Sequence, residues 1–225
     1  MNIFYIGFDF SINKPAATIL APDNNYYFFA WPCSLTKSAD EAYKSLNSNF
    51  IKVINRNVDI ITDKDESIMT YKHTIRSYEL AKQIITDIDM FISEHCIDES
   101  EPIIYMASEG LSFASRGNVT LNLATYKGVF LALFCEMFSS LLKHEMIYTY
   151  SPISIKSVAN CAGKEARNLK DPMIQAFLKE PENALSIVLK DDILKSKNNK
   201  YYACVDDIVD SYWVLQTMIK KEKLL

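Results

Sequence analysis

Along the chain, apolar positions recur first at every second residue and later at every third or fourth. NIFYIGFDFSI (2–12) is rich in aromatic and β-branched residues in rough alternation, which predicts a strand. PAATILAPDNNYYFFAWP (15–32) predicts a second strand, a turn at PDNN and a third strand ending before Pro32. Three consecutive strands joined by short turns make an antiparallel meander. Residues 33–57 are mixed, with a helix placed at SADEAYKSLNSNF (38–50). VDIIT (58–62) reads as another short strand ahead of the charged loop DKDES.

The period then changes. In YKHTIRSYELAKQIITDIDMFISEH (71–95), Ile75, Tyr78, Leu80, Ile84, Ile85, Ile88, Phe91 and Ile92 form one stripe, predicting an amphipathic helix. IIYMASEG (103–110) predicts a short buried strand ending at Glu109. VTLNLATYKGVFLALFCEMFSSLLKH (119–144) is apolar around most of a helical circumference, so it is expected to be buried or in an interface. MIYTYSP (146–152) reads as a strand stopped by Pro152. KDPMIQAFLKE (170–180) begins a helix with Asp171 at the N-cap and Pro172 at the first helical position. DDIVDSYWVLQTMIKKEKLL (206–225) closes the chain as a helix whose late lysines complement the dipole. Strands first, then alternating helices and strands, predict an α/β fold on one mixed sheet. No internal repeat or change of composition divides the 225 residues, so one domain over 1–225 is expected.

Composition narrows the class. With 49% hydrophobic residues, 23% charged, five Gly and seven Pro, there is no room for a long disordered tail. Apolar runs such as GVFLALF (128–134) are too short to span a bilayer, and no basic segment precedes an apolar one at the N-terminus. A cytoplasmic protein with no membrane partner is the expectation. The five cysteines lie far apart without a CxxC pair, which argues against a zinc site or a disulfide framework and predicts reduced, mostly buried thiols. A net charge of −4 counts against indiscriminate nucleic-acid binding, yet allows a local basic groove beside an acidic site.

The acids carry the chemistry. Asp9 sits inside an apolar strand and Glu109 ends another. Asp207 and Asp210 lie three apart, on one face of the last helix. A carboxylate within an apolar strand is costly to bury unless its charge is compensated. Singly, each acid has a plainer role as a turn, loop or helix-start residue, and Asp206, Asp207 and Asp210 read most simply as cap and first-turn acids. Delivered together to one place they would repel one another unless a divalent cation neutralised them, and all-oxygen ligation suits Mg²⁺ or Mn²⁺.

A strand Asp, a strand-end Glu and a C-terminal helix with D-x-x-D resemble the RuvC-type Holliday-junction resolvases of the RNase H-like superfamily. The resemblance runs in patches through YIGFDFSINKPAATIL, SEGLSFASRGNVTLNLATYKGVF, SPISIKSVANCAGKEARNLKDPMIQAFL and DDIVDSYWVL. It implies a mixed five-stranded sheet containing the three-strand meander and flanked by helices. It also implies Asp9, Glu109, Asp207 and Asp210 as catalytic ligands of two Mg²⁺ ions, with Mn²⁺ as a substitute. Asp206 would be a cap or would support the ligands from behind. Phe113 would be the aromatic that wedges against DNA, and Arg116 and Lys156 would be DNA contacts. Lys164, Arg167 and Lys170 compete for the second family lysine. The implied activity is paired nicking of four-way junctions by a homodimer, with the apolar helix 119–144 at its interface. The chain departs from the family where SINKP replaces the glycine after the first Asp, and where 33–74 is longer. A related nuclease of flaps, other branched DNA or RNA–DNA hybrids stays open, as does a silent nucleic-acid-binding domain. An actin-like ATPase would want more glycine than this chain has.

Overall fold

The computed structural model describes residues 1–46, 48–56, 61, 65–110, 118–161, 171–196 and 198–225. The meander forms as predicted: β1 (Ile3–Asp9), β2 (Ala16–Leu20) and β3 (Tyr26–Ala30) pair antiparallel. Then come α1 (Lys37–Ser45), β4 (Ile51–Val53), α2 (Glu66–His95), β5 (Ile103–Glu109), α3 (Asn118–Phe138) and β6 (Leu142–Tyr150). The chain continues through α4 (Pro152–Val158), α5 (Asp171–Phe177), α6 (Ala184–Lys190) and α7 (Val205–Glu222). The described strands form a six-stranded sheet in the order β4-β3-β2-β1-β5-β6, with β1, β5 and β6 mutually parallel and β4 parallel to β3.

The sheet has one strand more than expected. β4 is only three residues long, too short for a period-two signal, and follows α1 directly. The expected strand VDIIT falls largely outside the described residues.

Period two along β1 sorts its side chains between two cores. Phe4, Ile6 and Phe8 face α2 and α3, where they meet Ile84, Ile88 and Phe91, and the stripe Tyr126, Phe130, Phe134 and Phe138 at four-residue spacing. Phe8 stacks on Phe130 with ring centroids 4.4 Å apart. Tyr5 and the other odd positions face α7, whose Val205, Ile208, Val209, Tyr212 and Trp213 fill the second core with parts of α4, α5 and α6. α7 comes so close at Gly7 that a Cβ there would lie 2.4 Å from both the Leu215 amide nitrogen and the Ser211 carbonyl oxygen. Only a residue without a side chain fits under that helix. Beside it, the Ser211 and Thr18 hydroxyls lie 2.8 Å apart, and Ser211 also donates to the Ile208 carbonyl at 2.7 Å.

Several boundaries move. α2 starts at Glu66, earlier than the stripe suggested, because Asp65 accepts from the Ile68 amide and turns part of the charged loop into a cap. Ile75 and Tyr78 are exposed, since the buried face of that helix runs through Ser77, Leu80, Ala81 and Ile84 and leaves them to its side. α3 stops at Phe138, where a turn closed by Leu141 donating to the Phe138 carbonyl leads straight into β6. Pro152 ends β6 but also opens α4, with Ser151 as its cap. The expected cap of α5 lies at the edge of residues 162–170, which are outside the described residues. α6 was not anticipated, although Asn183 and Ser186 form a reciprocal cap. The cysteines are all free, but only Cys204 is buried and Cys135 is exposed, because the others lie at element ends or on outer faces. Among the described residues no helix is long and apolar enough to cross a membrane.

The close approach at Gly7 yields a direct test. Gly7→Ala must push α7 off β1, at a cost of about 3 kcal/mol by analogy with overpacked cores. Thermal unfolding is expected to show a Tm roughly 10 °C lower, and an unchanged Tm would mean that α7 does not lie against Gly7.

Candidate active site

Strand register brings the first two acids together. β1 and β5 run parallel with Phe8 opposite Ser108, so the next residues, Asp9 and Glu109, end adjacent strands side by side. Both have the parity of Gly7 and Ala107, which places them on the α7 face. Asp9 is 9% exposed, and Glu109 is half-buried. Glu109 stands close enough to Asp9 to make its carboxyl harder to ionise.

α7 supplies the other two. Asp207 and Asp210 stand one turn apart and just ahead of Ser211, the residue that rests on Gly7 and Thr18. Asp207 is 6% exposed and Asp210 half-buried. Burial above all, then the charges of Asp210, Glu109 and Asp207 in that order, push the Asp9 carboxyl well above the usual carboxylate range. Four acids from two strands and one helix therefore act on one another.

Two lysines stand against them. Lys14, in the loop after β1, places its Nζ 3.1 Å from Asp207 Oδ2. Lys127, on α3, is buried and donates to the backbone carbonyl of Glu109. Burial lowers the Lys127 pKa, against the opposing pull of Glu109 and Asp9. Neither residue stood among the sequence candidates. Lys127 had a signal, a charge on an otherwise apolar helix face beside Gly128. Lys14 had none, because its contact lies almost two hundred residues away.

The remaining candidates part company. Asp206 is not the cap of α7: Cys204 holds that position in a left-handed conformation (φ 83°), without a side-chain capping bond. Asp206 instead lines a cavity of about 670 Å³ next to the acids. Burial first, and then Asp207, push the neighbouring Cys204 thiol up to about 12. Lys156 lies in the last turn of α4, where with Lys179 it acts on the Cys161 thiol. Phe113, Arg116, Lys164, Arg167 and Lys170 lie outside the described residues.

Whether the acids suit a metal turns on their chemistry. Among the described residues no three His, Cys, Asp or Glu side chains are already grouped so that they could hold an ion. The donors are nonetheless all oxygen, crowded and partly desolvated, and an ammonium already answers them at Asp207. Such a set fits a hard divalent cation better than it fits its own company.

The fold is RNase H-like, a mixed sheet flanked by helices, and it carries acids at the ends of the adjacent parallel strands β1 and β5 and on a helix across them. The solved yeast mitochondrial Holliday junction resolvase Ydc2 matches with a TM-score of 0.51 at 13% identity, over 98% of this chain and 78% of that one. Thermus thermophilus RuvC matches at a TM-score of 0.47 and 11% identity, over 100% of this chain and 96% of that one. The same protein in complex with Holliday junction substrate gives 0.47 and 12%, over 99% and 96%. No protein-family model matches the chain, and no curated protein matches its sequence.

The raised Asp9 pKa fixes the sign of a pH effect. The folded state holds this proton more tightly than the unfolded chain, so stability without metal falls as pH rises from about 4 toward the raised value. Asp9→Asn removes that loss. In chelator at pH 8 its Tm is expected to exceed the wild type's by roughly 5 °C, with the gap closing near pH 4 and narrowing when a divalent cation is added. A variant less stable than wild type across that range would contradict the electrostatic account.

Proposed function

We propose that this protein is a metal-dependent endonuclease that nicks four-way DNA junctions as a pair of subunits. The observation that carries the reading is the convergence of Asp9, Glu109, Asp207 and Asp210 at one end of the β1–β5 seam, in a fold shared with a Holliday junction resolvase. Four acids crowded together, two of them buried, favour a functional role over a stabilising one.

Asp9, Glu109, Asp207 and Asp210 would hold two Mg²⁺ ions, or Mn²⁺ in their place. Metal ions in such a set supply charge stabilisation at the scissile phosphate and a water acidic enough to attack it. The chain's own residues do the positioning. Asp9 and Glu109 are fixed by strand register, and Asp207 and Asp210 by the seating of α7 on Gly7. Lys127, tied to the Glu109 carbonyl, holds the end of β5 and adds a buried positive charge beside the acids. Lys156 and the basic residues between α4 and α5 would meet backbone phosphates, which suits a local patch on an acidic chain.

A junction has two-fold symmetry, so paired nicks need two sites, which a homodimer provides. α3 is the candidate face: it buries its four aromatics inward, while Leu131 and Leu133 are only partly covered and Met137 is exposed. The second reading, a nuclease of flaps, other branched DNA or RNA–DNA hybrids, rests on the same acids.

Cleavage of a synthetic four-way junction in Mg²⁺, beside duplex, flap and hybrid, tests the proposal. Symmetric nicks are expected, with Asp207→Asn at least about a thousandfold slower, as for loss of a catalytic ligand. That variant is expected to bind the junction as well as wild type or better, since phosphate repulsion falls. Absence of cleavage on every branched substrate would overturn the enzyme reading, and preference for flap or hybrid would favour the second one.

A further inference from the structure

Past the end of β3 two arginines meet, and among the described residues neither forms an ion pair with a carboxylate. Arg56 follows β4 and bridges to Cys33 in parallel register, with its amide on the Pro32 carbonyl at 2.8 Å. Its side chain ties two segments together: Nε donates to the Trp31 carbonyl at 2.9 Å and Nη2 to the Ile12 carbonyl at 3.5 Å. Arg76, on α2, brings its Nη2 to 3.2 Å from the Cys33 sulfur. The Nε of Arg76 is buried and has no hydrogen-bond partner.

Two guanidinium groups around one sulfur are an unfinished arrangement. A thiol is a weak acceptor, and a guanidinium keeps its charge at any ordinary pH. Burial lowers the Arg56 pKa, Cys33 opposes that, and the charge of Arg76 adds to it. The backbone carbonyls that Arg56 holds account for its position. Arg76 has no such anchor, and the open donors of its planar fork suit an oxyanion.

The pair stands at the same end of the sheet as the acids. Asp9, Ala16 and Ala30 form one row across β1, β2 and β3. The end of β3 therefore lies two strand spacings, about 10 Å, from Asp9. α3 reaches both places with consecutive residues. Lys127 faces the charges of Glu109 and Asp9, and Tyr126 those of Arg76 and Arg56, with its hydroxyl 3.4 Å from His73 Nδ1. A nucleic-acid strand carries one phosphate per roughly 3.4 Å of helix axis, so a strand held at the acids has another phosphate level with the arginines about three nucleotides along.

We propose that Arg56 and Arg76 form a clamp for a backbone phosphate of the nucleic-acid strand, about three nucleotides from the phosphate that the acids engage. The inference rests on the nuclease reading and adds the path of the strand, past the ends of β1, β2 and β3 toward α2.

A synthetic four-way junction in chelator, where no strand is cut, is followed by fluorescence anisotropy over a range of salt. Arg76→Gln is expected to bind about tenfold more weakly. Its slope of log affinity against log salt is expected to be shallower by about one. Its Tm without DNA is expected to stay level or rise, because Arg56 loses a like-charged neighbour. A lower Tm with an unchanged slope would mark Arg76 as structural and overturn the clamp. Arg76→Lys serves if the first variant folds poorly, and is expected to keep the slope while losing affinity with the fork. A single neutral methylphosphonate moved along the strand supplies position: one linkage is expected to weaken wild type about as much as Arg76→Gln does, and to cost that variant nothing further. If every linkage acts alike in the two proteins, the proposal falls. Inorganic phosphate distinguishes the other source of the same chemistry. A phosphate-induced rise in Tm that Arg76→Gln lacks, with equal junction binding by both, would assign the arginines to a free anion and overturn the strand path. Nicking by wild type in Mg²⁺ is scored in parallel. Nicking with none of these effects refutes this inference alone, whereas the position-specific loss without cleavage of any branched DNA refutes the nuclease reading alone.

Discussion

The seating of α7 on β1 is the constraint on which the rest depends. At Gly7 the helix backbone lies where a methyl group would be, and that contact fixes the height of α7 above the sheet. Ser211 adds direction by reaching the Thr18 hydroxyl on the neighbouring strand. With height and direction set, one turn of helix suffices to bring Asp210 and Asp207 over the ends of β1 and β5. Apolar packing of Ile208, Tyr212 and Leu215 then holds the helix down against the repulsion that this arrangement creates.

That repulsion is met by positive charge drawn from a loop and from α3. Asp207 leans on a lysine from a loop, and Lys127 holds the backbone of Glu109 while its charge faces Glu109 and Asp9. Burying unlike charges for good would neutralise the site and waste its function. Here the large terms, two aromatic cores on either side of the sheet, carry stability against the crowding of the acids.

Much of this was legible in the chain, for reasons that differ by element. The meander and β5 show because buried strands concentrate aromatic and β-branched residues. The amphipathic stripes of α2 and α7 show because one face stays polar. Asp9 and Glu109 stood out as charges at the wrong period, and Asp207 with Asp210 by their helical step. β4, α4 and α6 were missed because three to seven residues do not complete enough periods to be distinguished from loop. The α3–β6 boundary failed because SSLLKH suits a helix as well as the turn and strand it forms. Lys14 and the left-handed Cys204 are facts of tertiary contact, and no local pattern announces them.

The order of these pieces along the chain has a temporal consequence. The strand bearing Asp9 and the helix bearing Asp207 are about 200 residues apart, so the longest-range contact in the molecule is also the one that assembles the acids. A chain whose α7 has not yet docked keeps Asp9 and Glu109 in water, where neither faces a third and fourth carboxylate. Docking of that helix both closes the second core and creates the strained centre. Any reactivity the acids possess therefore starts only once folding is finished.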